Sequence, residues 1–430
     1  MALTGRLALL ALVGAGLVAV LPSWTTLVAV DALLLLAVGV DLALAGSPRA
    51  LGVARSGDTA VRLGEPAQVT LTLTNPGPRR AHGRLRDAWS PSAGAAEQRH
   101  RLDVPAGERR RVTTVLRPTR RGDRRADRVT VRTLGPLGLA ARQGSHAVPW
   151  TVRVLPPFTS RKHLPSKLAR LRDLDGRTPV LVRGAGTEFD SLREYVPGDD
   201  VRSIDWRATA RAADVMVRTW RPERDRHVLL VLDTGRTAAG RVGDAPRLDA
   251  ALDAALLLAA LASRAGDRVD LLAHDRVQRA AVQGASATEL LPALVNAMAP
   301  LEAALVEPDW SAIAAQVLRR APRRSLVVLL TALDPAPLEL GLLPVLPLLT
   351  TRHQVVLASV GDPRVAELAA GRGEAAAVFG AAAAETVRLA RARVGAELRR
   401  GGVEVVEGTP ADLPPRLADT YLALKAAGRL

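Results

Sequence analysis

The sequence contains no cysteine. That single absence excludes disulfides, thiolate zinc sites, iron–sulfur clusters and cysteine nucleophiles, and it leaves the redox compartment open. Aromatic residues are scarce as well, 3% of the chain with two tyrosines and three phenylalanines, too few for the stacking platforms that grip single-stranded nucleic acid. The six tryptophans stand out for that reason. Lysine is nearly missing: Lys162, Lys167 and Lys425 are the whole set, so arginine carries almost all of the formal net charge of +16. Arginine in an Ala/Arg/Leu-rich vocabulary reflects a GC-rich genome as much as function. No nucleic-acid recognition signature accompanies the charge, and no specific nucleic-acid partner is expected. A basic chain of this kind also suits an anionic membrane leaflet.

What is present is a 430-residue chain, 48% hydrophobic and 24% charged, long enough for two or three domains and too apolar to stay disordered. Leu7 to Leu21 is an uncharged run of fifteen residues, and after Pro22, Ser23, Trp24, Thr25 and Thr26 a second run extends from Leu27 to Ala45. Nineteen residues at about 1.5 Å each approach the roughly 30 Å of a bilayer core. The expectation is a transmembrane hairpin over 1–50, anchoring the lipid bilayer through residues 7–45, with Trp24 at one interface and Ala11, Ala15 and Ala19 as the close-approach stripe. Arg6 and Arg49 flank the pair, which by the positive-inside rule puts residues 50–430 in the cytoplasm of a multi-pass plasma-membrane protein. A secretory signal competes with this reading, but no small-residue cleavage pattern precedes Trp24 and a second apolar run follows. Asp31 lies inside the second run and is expected to face a partner helix or be protonated; Asp41, near its end, is expected to reach water.

From 51 to 156 the pattern changes to short alternating runs, including 67–74, 111–116, 128–133 and 150–155, with turn signals such as Asn75-Pro76-Gly77-Pro78 and Gly135-Pro136-Leu137-Gly138 between them. Period-two patterning with such turns predicts an immunoglobulin- or fibronectin-like β-sandwich. Its arginine-dense stretches, 109–111 and 117–128, read as exposed strand faces and loops. Residues 157–226 read as a linker and a charged latch motif. From 227 to 430, apolar strands at 227–233, 268–274, 277–283, 325–331, 354–360 and 403–407 alternate with Ala/Leu-rich helices at 248–264, 287–298, 310–320 and 375–400. That predicts a doubly wound α/β sheet, whose ligands bind at the carboxyl ends of the strands, here after Leu232 and Leu330.

The densest motif lies between Gly184 and Arg226. Glu188, Arg193, Glu194, Asp199, Asp200, Arg202, Asp205 and Arg211 are interleaved with Phe189, Tyr195, Trp206 and the turn glycine Gly198. Two readings stay open. In one the aromatics pack onto the α/β core while arginines and carboxylates form a structural latch at its rim; in the other the segment is a partner surface. The run Arg193-Glu194-Tyr195, Pro197-Gly198-Asp199-Asp200, Arg202, Ile204-Asp205-Trp206, Ala210-Arg211, followed by a strand ending Leu232-Asp233-Thr234-Gly235-Arg236-Thr237, closely resembles the motif of the bacterial domain of unknown function 58 family. The order of membrane hairpin, sandwich and α/β domain is similar to that family too. The resemblance implies a von Willebrand factor A-like C-terminal domain. It also implies a MoxR-type AAA+ ATPase as partner in the assembly or maturation of other proteins.

That resemblance further implies a metal-ion-dependent adhesion site, an Asp-x-Ser-x-Ser loop plus a Thr and an Asp from later loops, since hard divalent cations take oxygen ligands. Here Asp233 and Thr237 match, Gly235 replaces a serine, and Thr331-Ala332-Leu333-Asp334 has alanine where an aspartate is wanted. The weak candidate set for Mg²⁺ is Asp233, Thr237, Thr331 and Asp334; the alternative is a hydrogen-bonded surface without metal. Gly184-Ala185-Gly186 lacks the strand and lysine of a phosphate loop, the seven histidines lack ligand spacing, and Asp199-Asp200 has no activated nucleophile nearby. The expected function is a membrane-anchored, non-enzymatic scaffold or adaptor without cofactor; the alternative is a metal-dependent hydrolase at Asp233.

Overall fold

The apolar N-terminal runs form two helices in the computed structural model, which describes residues 2–177, 188–197, 199–212, 214–221 and 226–430. The chain divides into two units, Met1–Pro157 and Phe158–Leu430. In the first, α1 (Gly5–Val20) and α2 (Trp24–Leu44) are separated by a break at Pro22, and the Ser23 hydroxyl caps α2 by accepting the Thr26 amide at 3.1 Å. Among the described residues, α2 alone is long and apolar enough to cross a membrane; α1, at 16 residues, spans about 24 Å. The two helices approach closely at Gly14, the one buried residue of α1, where an added Cβ would lie 2.6 Å from Val30 Cγ1. This corrects the expected stripe: Ala11, Ala15 and Ala19 are exposed.

Asp41 also departs from expectation. Far from reaching water, Asp41 is fully buried, and its carboxylate accepts four consecutive amides of the first unit, those of Leu137, Gly138, Leu139 and Ala140, at 2.7–3.3 Å. A carboxylate in the last turn of a helix opposes the helix dipole, and the four donors offset that cost. Asp31 is exposed and lies off the stripe Thr26, Val30, Leu34 and Ala37, which is partly covered. Next to the Asp41 clamp, the Thr4 hydroxyl donates to Gly138 O at 2.7 Å, and β1 (Ala2–Leu3) pairs antiparallel with Ala140 and Ala141. The start of α1 and the end of α2 are thus tied to one loop.

That loop joins two neighbouring strands of one sheet in a two-sheet sandwich. One has the order β1-β9-β8-β5-β6, from β5 (Ala81–Asp87), β6 (Arg99–Val104), β8 (Gly122–Leu134) and β9 (Ala140–Leu155), with β3 (Ala60–Arg62) parallel along β9; the other is β2-β4-β7, from Gly52–Gly57, Ala67–Thr74 and Arg109–Leu116. Alternation dictates the packing: Ala67, Val69, Leu71 and Leu73 of β4 point inward while Gln68 and Thr70 do not. Leu71 and Leu73 meet Leu85, Leu102, Val129 and Val131 of the opposite sheet. Inside this sandwich a buried Arg55–Asp87 ion pair is completed by the Trp89 indole N–H (2.8 Å) and the Thr114 hydroxyl (3.2 Å), both donating to Asp87. Arg109, Arg110, Arg111, Arg117 and Arg128 are exposed, whereas Arg121 is buried.

In the second unit the segment expected as linker carries α3 (Leu164–Arg177), preceded by Ser160, whose hydroxyl donates to the buried Asp253 carboxylate at 2.8 Å. A two-stranded antiparallel ribbon follows, β10 (Glu188–Glu194) and β11 (Met216–Arg221), enclosing the short helix α4 (Trp206–Thr209). The main sheet uses β12 (His227–Asp233), β15 (Arg268–His274), β16 (Gln278–Val282), β17 (Leu326–Leu330), β18 (Gln354–Val360) and β19 (Val403–Gly408), in the order β16-β15-β12-β17-β18-β19. All pairings are parallel except that of the edge strand β16. After β12 come α5 (Arg236–Ala239), a small hairpin of β13 (Arg241–Val242) and β14 (Ala245–Pro246), and α6 (Arg247–Arg264). The remaining helices are α7 (Leu290–Met298), α8 (Trp310–Arg320), α9 (Pro335–Pro337), α10 (Leu343–Thr350), α11 (Pro363–Ala369), α12 (Ala375–Arg400) and α13 (Leu413–Ala426). Leu229, Val231, Val327, Leu329, Val355 and Leu357 pack against α8, α10 and α12, while α6 and α13 cover the other face. The chain first builds outward from β12 on one side and then returns to β17 on the other, so the strand order reverses between β12 and β17. In open α/β sheets ligands bind beyond the carboxyl ends at that reversal.

Candidate functional site

Asp233 ends β12 at this reversal and is 2% exposed. Its Oδ2 accepts the Thr331 hydroxyl (2.6 Å), which follows β17, and the Thr237 hydroxyl (3.0 Å) of α5; its Oδ1 accepts the Gly235 amide (2.7 Å). Three of the four weak metal candidates therefore meet. The fourth does not: Asp334 pairs with Arg247 Nη1 at 3.3 Å. Burial pushes the Asp233 carboxyl up from its usual range, and the nearby Asp275 charge adds to this, although the three donors act in the opposite sense. Two further residues of the area carried no sequence motif. Asp275, just past β15, accepts the Thr234 hydroxyl (3.1 Å) and the Arg279 side chain (2.7 Å); Arg247 lines the Asp233 pocket. Position alone, immediately beyond a strand's carboxyl end, was the available signal for Asp275. Burial favours its neutral form, but Arg279, the Val277 and Arg276 amides and Thr234 outweigh that and hold its carboxyl below the usual range.

A divalent cation is what the adhesion-site pattern implies, and the local geometry does not fit one. A Cβ on Gly235 would lie 2.8 Å from Val306 O and 3.0 Å from Pro308 Cδ, so a serine ligand is sterically barred where the pattern asks for one. Ala332 offers no oxygen, Asp334 is engaged elsewhere, and the pocket leaves about 10 Å³ for the centre of a water molecule. Three residues remain, two of which already donate their hydroxyls to the third, and so small a pocket has no room for the waters with which Mg²⁺ completes its six ligands. Among the described residues no group of three or more His, Asp or Glu converges as a metal site.

The charged motif has a different geometry from the expected rim network. Arg193 Nη2 donates to Asp199 Oδ1 (2.5 Å), and Asp199 Oδ2 accepts the Val196 amide (2.9 Å). Asp205 caps α4 by accepting the Arg207 and Ala208 amides (2.9 and 3.0 Å) and pairs with Arg218 (2.7 Å). Asp200 caps the following turn at the Arg202 amide (2.9 Å). These bonds close the ribbon on itself. Its surface is left to Trp206, 70% exposed, and to Val196, Val201, Glu194, Arg202, Arg207 and Arg211, which are exposed as well. The expectation that Trp206 packs onto the α/β core is thus corrected. Tyr195 is half-buried, and its amide bonds to Val215 O at 2.7 Å. Burial of the ribbon's other aromatics, Phe189 and Trp220, and of the Glu188 side chain falls outside the described residues, as do Gly198 and the 184–186 glycine segment.

Residues 191–401, which include most of this ribbon and the reversal site, match the family described as Protein of unknown function DUF58; the chain carries a DUF58 family domain there. Over 192 residues, 44% of the chain, it is 30% identical to uncharacterized proteins of Mycobacterium tuberculosis (Rv1480) and Mycobacterium bovis (Mb1516), and spans 59% of their length. It is also 26% identical over 113 residues to Bacillus subtilis YeaD, covering 26% of this chain and 28% of that protein. Among solved structures, a CARDB domain of the PF1109 protein from Pyrococcus furiosus, in complex with di-metal ions, aligns with 24% of this chain and 91% of its own, at 17% identity and a TM-score of 0.19. A β-glucosidase from Listeria innocua aligns with 23% of this chain and 16% of its own, at 17% identity and a TM-score of 0.16. Likenesses at these TM-scores carry no weight for function.

Proposed function

We propose that this protein is a membrane-anchored adaptor that recruits a protein partner through the ribbon at 188–221, without catalysing a reaction itself. The observation that carries this is Trp206, a large apolar side chain left in solvent on a ribbon whose Val201, Arg202, Arg207 and Arg211 are exposed too, while Asp199 and Asp205 are spent inside it. Tryptophan and arginine around a small apolar centre are the composition of interface hot spots. The von Willebrand A-like character of the second unit and a MoxR-type AAA+ ATPase as partner are what the family resemblance adds, and assembly or maturation of other proteins is the role that such a pair would serve. The anchor in this reading is the α1–α2 hairpin, both ends cytoplasmic, supported by Arg6 and Arg49 and by the tie of both helices to one loop.

Two experiments test it. A phosphatase reporter fused after Leu430 should be silent and a fluorescent reporter active; the opposite pattern removes the anchor topology. A purified MoxR-type ATPase from the same cell should co-purify with the full chain and be lost with Trp206→Ala. The competing hydrolase reading at Asp233 has in its favour a buried carboxyl to which the Thr237 and Thr331 hydroxyls donate, but that carboxyl is almost wholly covered and the pocket over it has room for little more than one water molecule.

A further inference from the structure

Asp31 is an exposed carboxyl within the one helix suited to cross a membrane. With 100° per residue, it lies about 100° from Val30, 60° from Leu34 and 120° from Ala37, on the flank of the stripe that meets α1. Its own face is formed by Trp24, Val28, Asp31, Leu35, Val38 and Leu42, spaced four and three residues apart in alternation. That is the spacing of a helix–helix seam, in which a single polar residue fixes the register and the choice of partner. Trp24, Val28 and Leu35 on this face are strongly exposed, so α1 does not occupy it.

Resting on the membrane-anchor reading, we infer that this seam docks a transmembrane helix of a second protein that carries Lys or Arg at the level of Asp31, about 10 Å in from Trp24. Charge decides the occupant. A carboxylate in hydrocarbon requires a partner, and neither α1 nor α2 contains lysine or arginine beyond Arg6 at the first turn of α1, seven residues on the far side of Gly14. A second copy inserts with the same orientation, and along a parallel seam it would bring Asp31 against Asp31, carboxylate facing carboxylate. A basic residue on a different chain pairs with it instead.

The test uses the full chain, donor-labelled and reconstituted in phosphatidylcholine vesicles, with acceptor-labelled synthetic Leu/Ala helices. One peptide carries Lys at the Asp31 level, one carries it at the opposite end, and one has none. Energy transfer to the first peptide should exceed that to the other two by at least about tenfold in apparent affinity and should fall to their level with Asp31→Asn. Equal transfer to all three peptides overturns the inference, as does transfer between two copies of the chain that Asp31→Asn abolishes. Vesicle flotation is read in parallel. A chain that fails to float overturns the anchor reading along with the seam, whereas a chain that floats but ignores the lysine peptide overturns the seam alone.

Discussion

At the scale of single residues, Asp233 and Asp275 are two buried carboxyls 42 positions apart whose environments drive them in opposite directions. Asp233 is held above its usual range by burial, so its charged form is disfavoured in the folded state. The stability it contributes when protonated is present below the unfolded value of about 3.9 and is lost as pH rises through the folded one. Asp233→Asn should therefore raise the melting temperature at pH 7, by about 2–4 °C per kcal/mol recovered, and do little at pH 3.5. The asparagine can be satisfied here, with its oxygen on the Gly235 amide and its NH₂ toward hydroxyls free to rotate. Scanning calorimetry at the two pH values checks this, and destabilisation at neutral pH would contradict it. Asp275 is held low, so its contribution is present above about 3.9 and disappears as pH falls through the folded value; Asp275→Asn should lower stability at pH 7 and flatten its decline in acid. Because Gly235, Ala332 and Asp334 supply no ligand, titration calorimetry of the purified chain with Mg²⁺ or Mn²⁺ should show no micromolar binding. Heat from such binding would mean that a ligand has been missed.

At the scale of elements, the clamp on Asp41 and the closed ribbon make contrasting demands. Asp41→Ala would take the acceptor from four amides, of which those of Leu139 and Ala140 are buried; at about 1–3 kcal/mol for each buried one, the full chain in detergent should lose at least about 2 kcal/mol in thermal unfolding while Asp31→Ala loses little. Asp205→Ala removes a helix cap and a half-exposed ion pair, and should lower the melting temperature much less than Asp41→Ala does. Elements of this kind differ in how far the sequence announces them. The six strands of the main sheet were legible because an apolar run such as 326–330 or 354–360 has one physical use, burial on both faces. The meeting of Asp233 with Thr331 followed from the carboxyl-end rule once those strands were placed. Asp41 was illegible. Its position in a helix says only that it sits near an end, and its partners lie almost a hundred residues away in backbone amides, which carry no side-chain signature. Trp206 was misread for a related reason: an aromatic residue in a charged motif is assigned to a core by habit of composition, and only the ribbon's self-contained bonding shows that no core is there to receive it. Gly14, not the alanine stripe, sets the helix approach because Val30 lies directly over it, a cross-helix coincidence that periodicity within one helix does not encode.

At the scale of the whole molecule, the account joins an apolar pair tied into a β-sandwich to an α/β unit whose most exposed specialised feature is a ribbon surface. The net charge of +16 fits this without a nucleic-acid role. Any DNA binding should fall steeply between 50 and 200 mM salt and ignore sequence, as counterion release requires, and a filter-binding series would reveal a specific site if one exists. The central claim is that the ribbon recruits a protein partner, and it rests on Trp206. The most direct measurement is the affinity of the full chain, held in a lipid nanodisc, for a purified MoxR-type ATPase, compared between the native protein and Trp206→Ala. The account predicts saturable binding that weakens about thirtyfold in the variant, the loss of about 2 kcal/mol expected of a hot-spot anchor, with the melting temperature unchanged. Binding of equal strength by the two proteins, at equal stability, would contradict it.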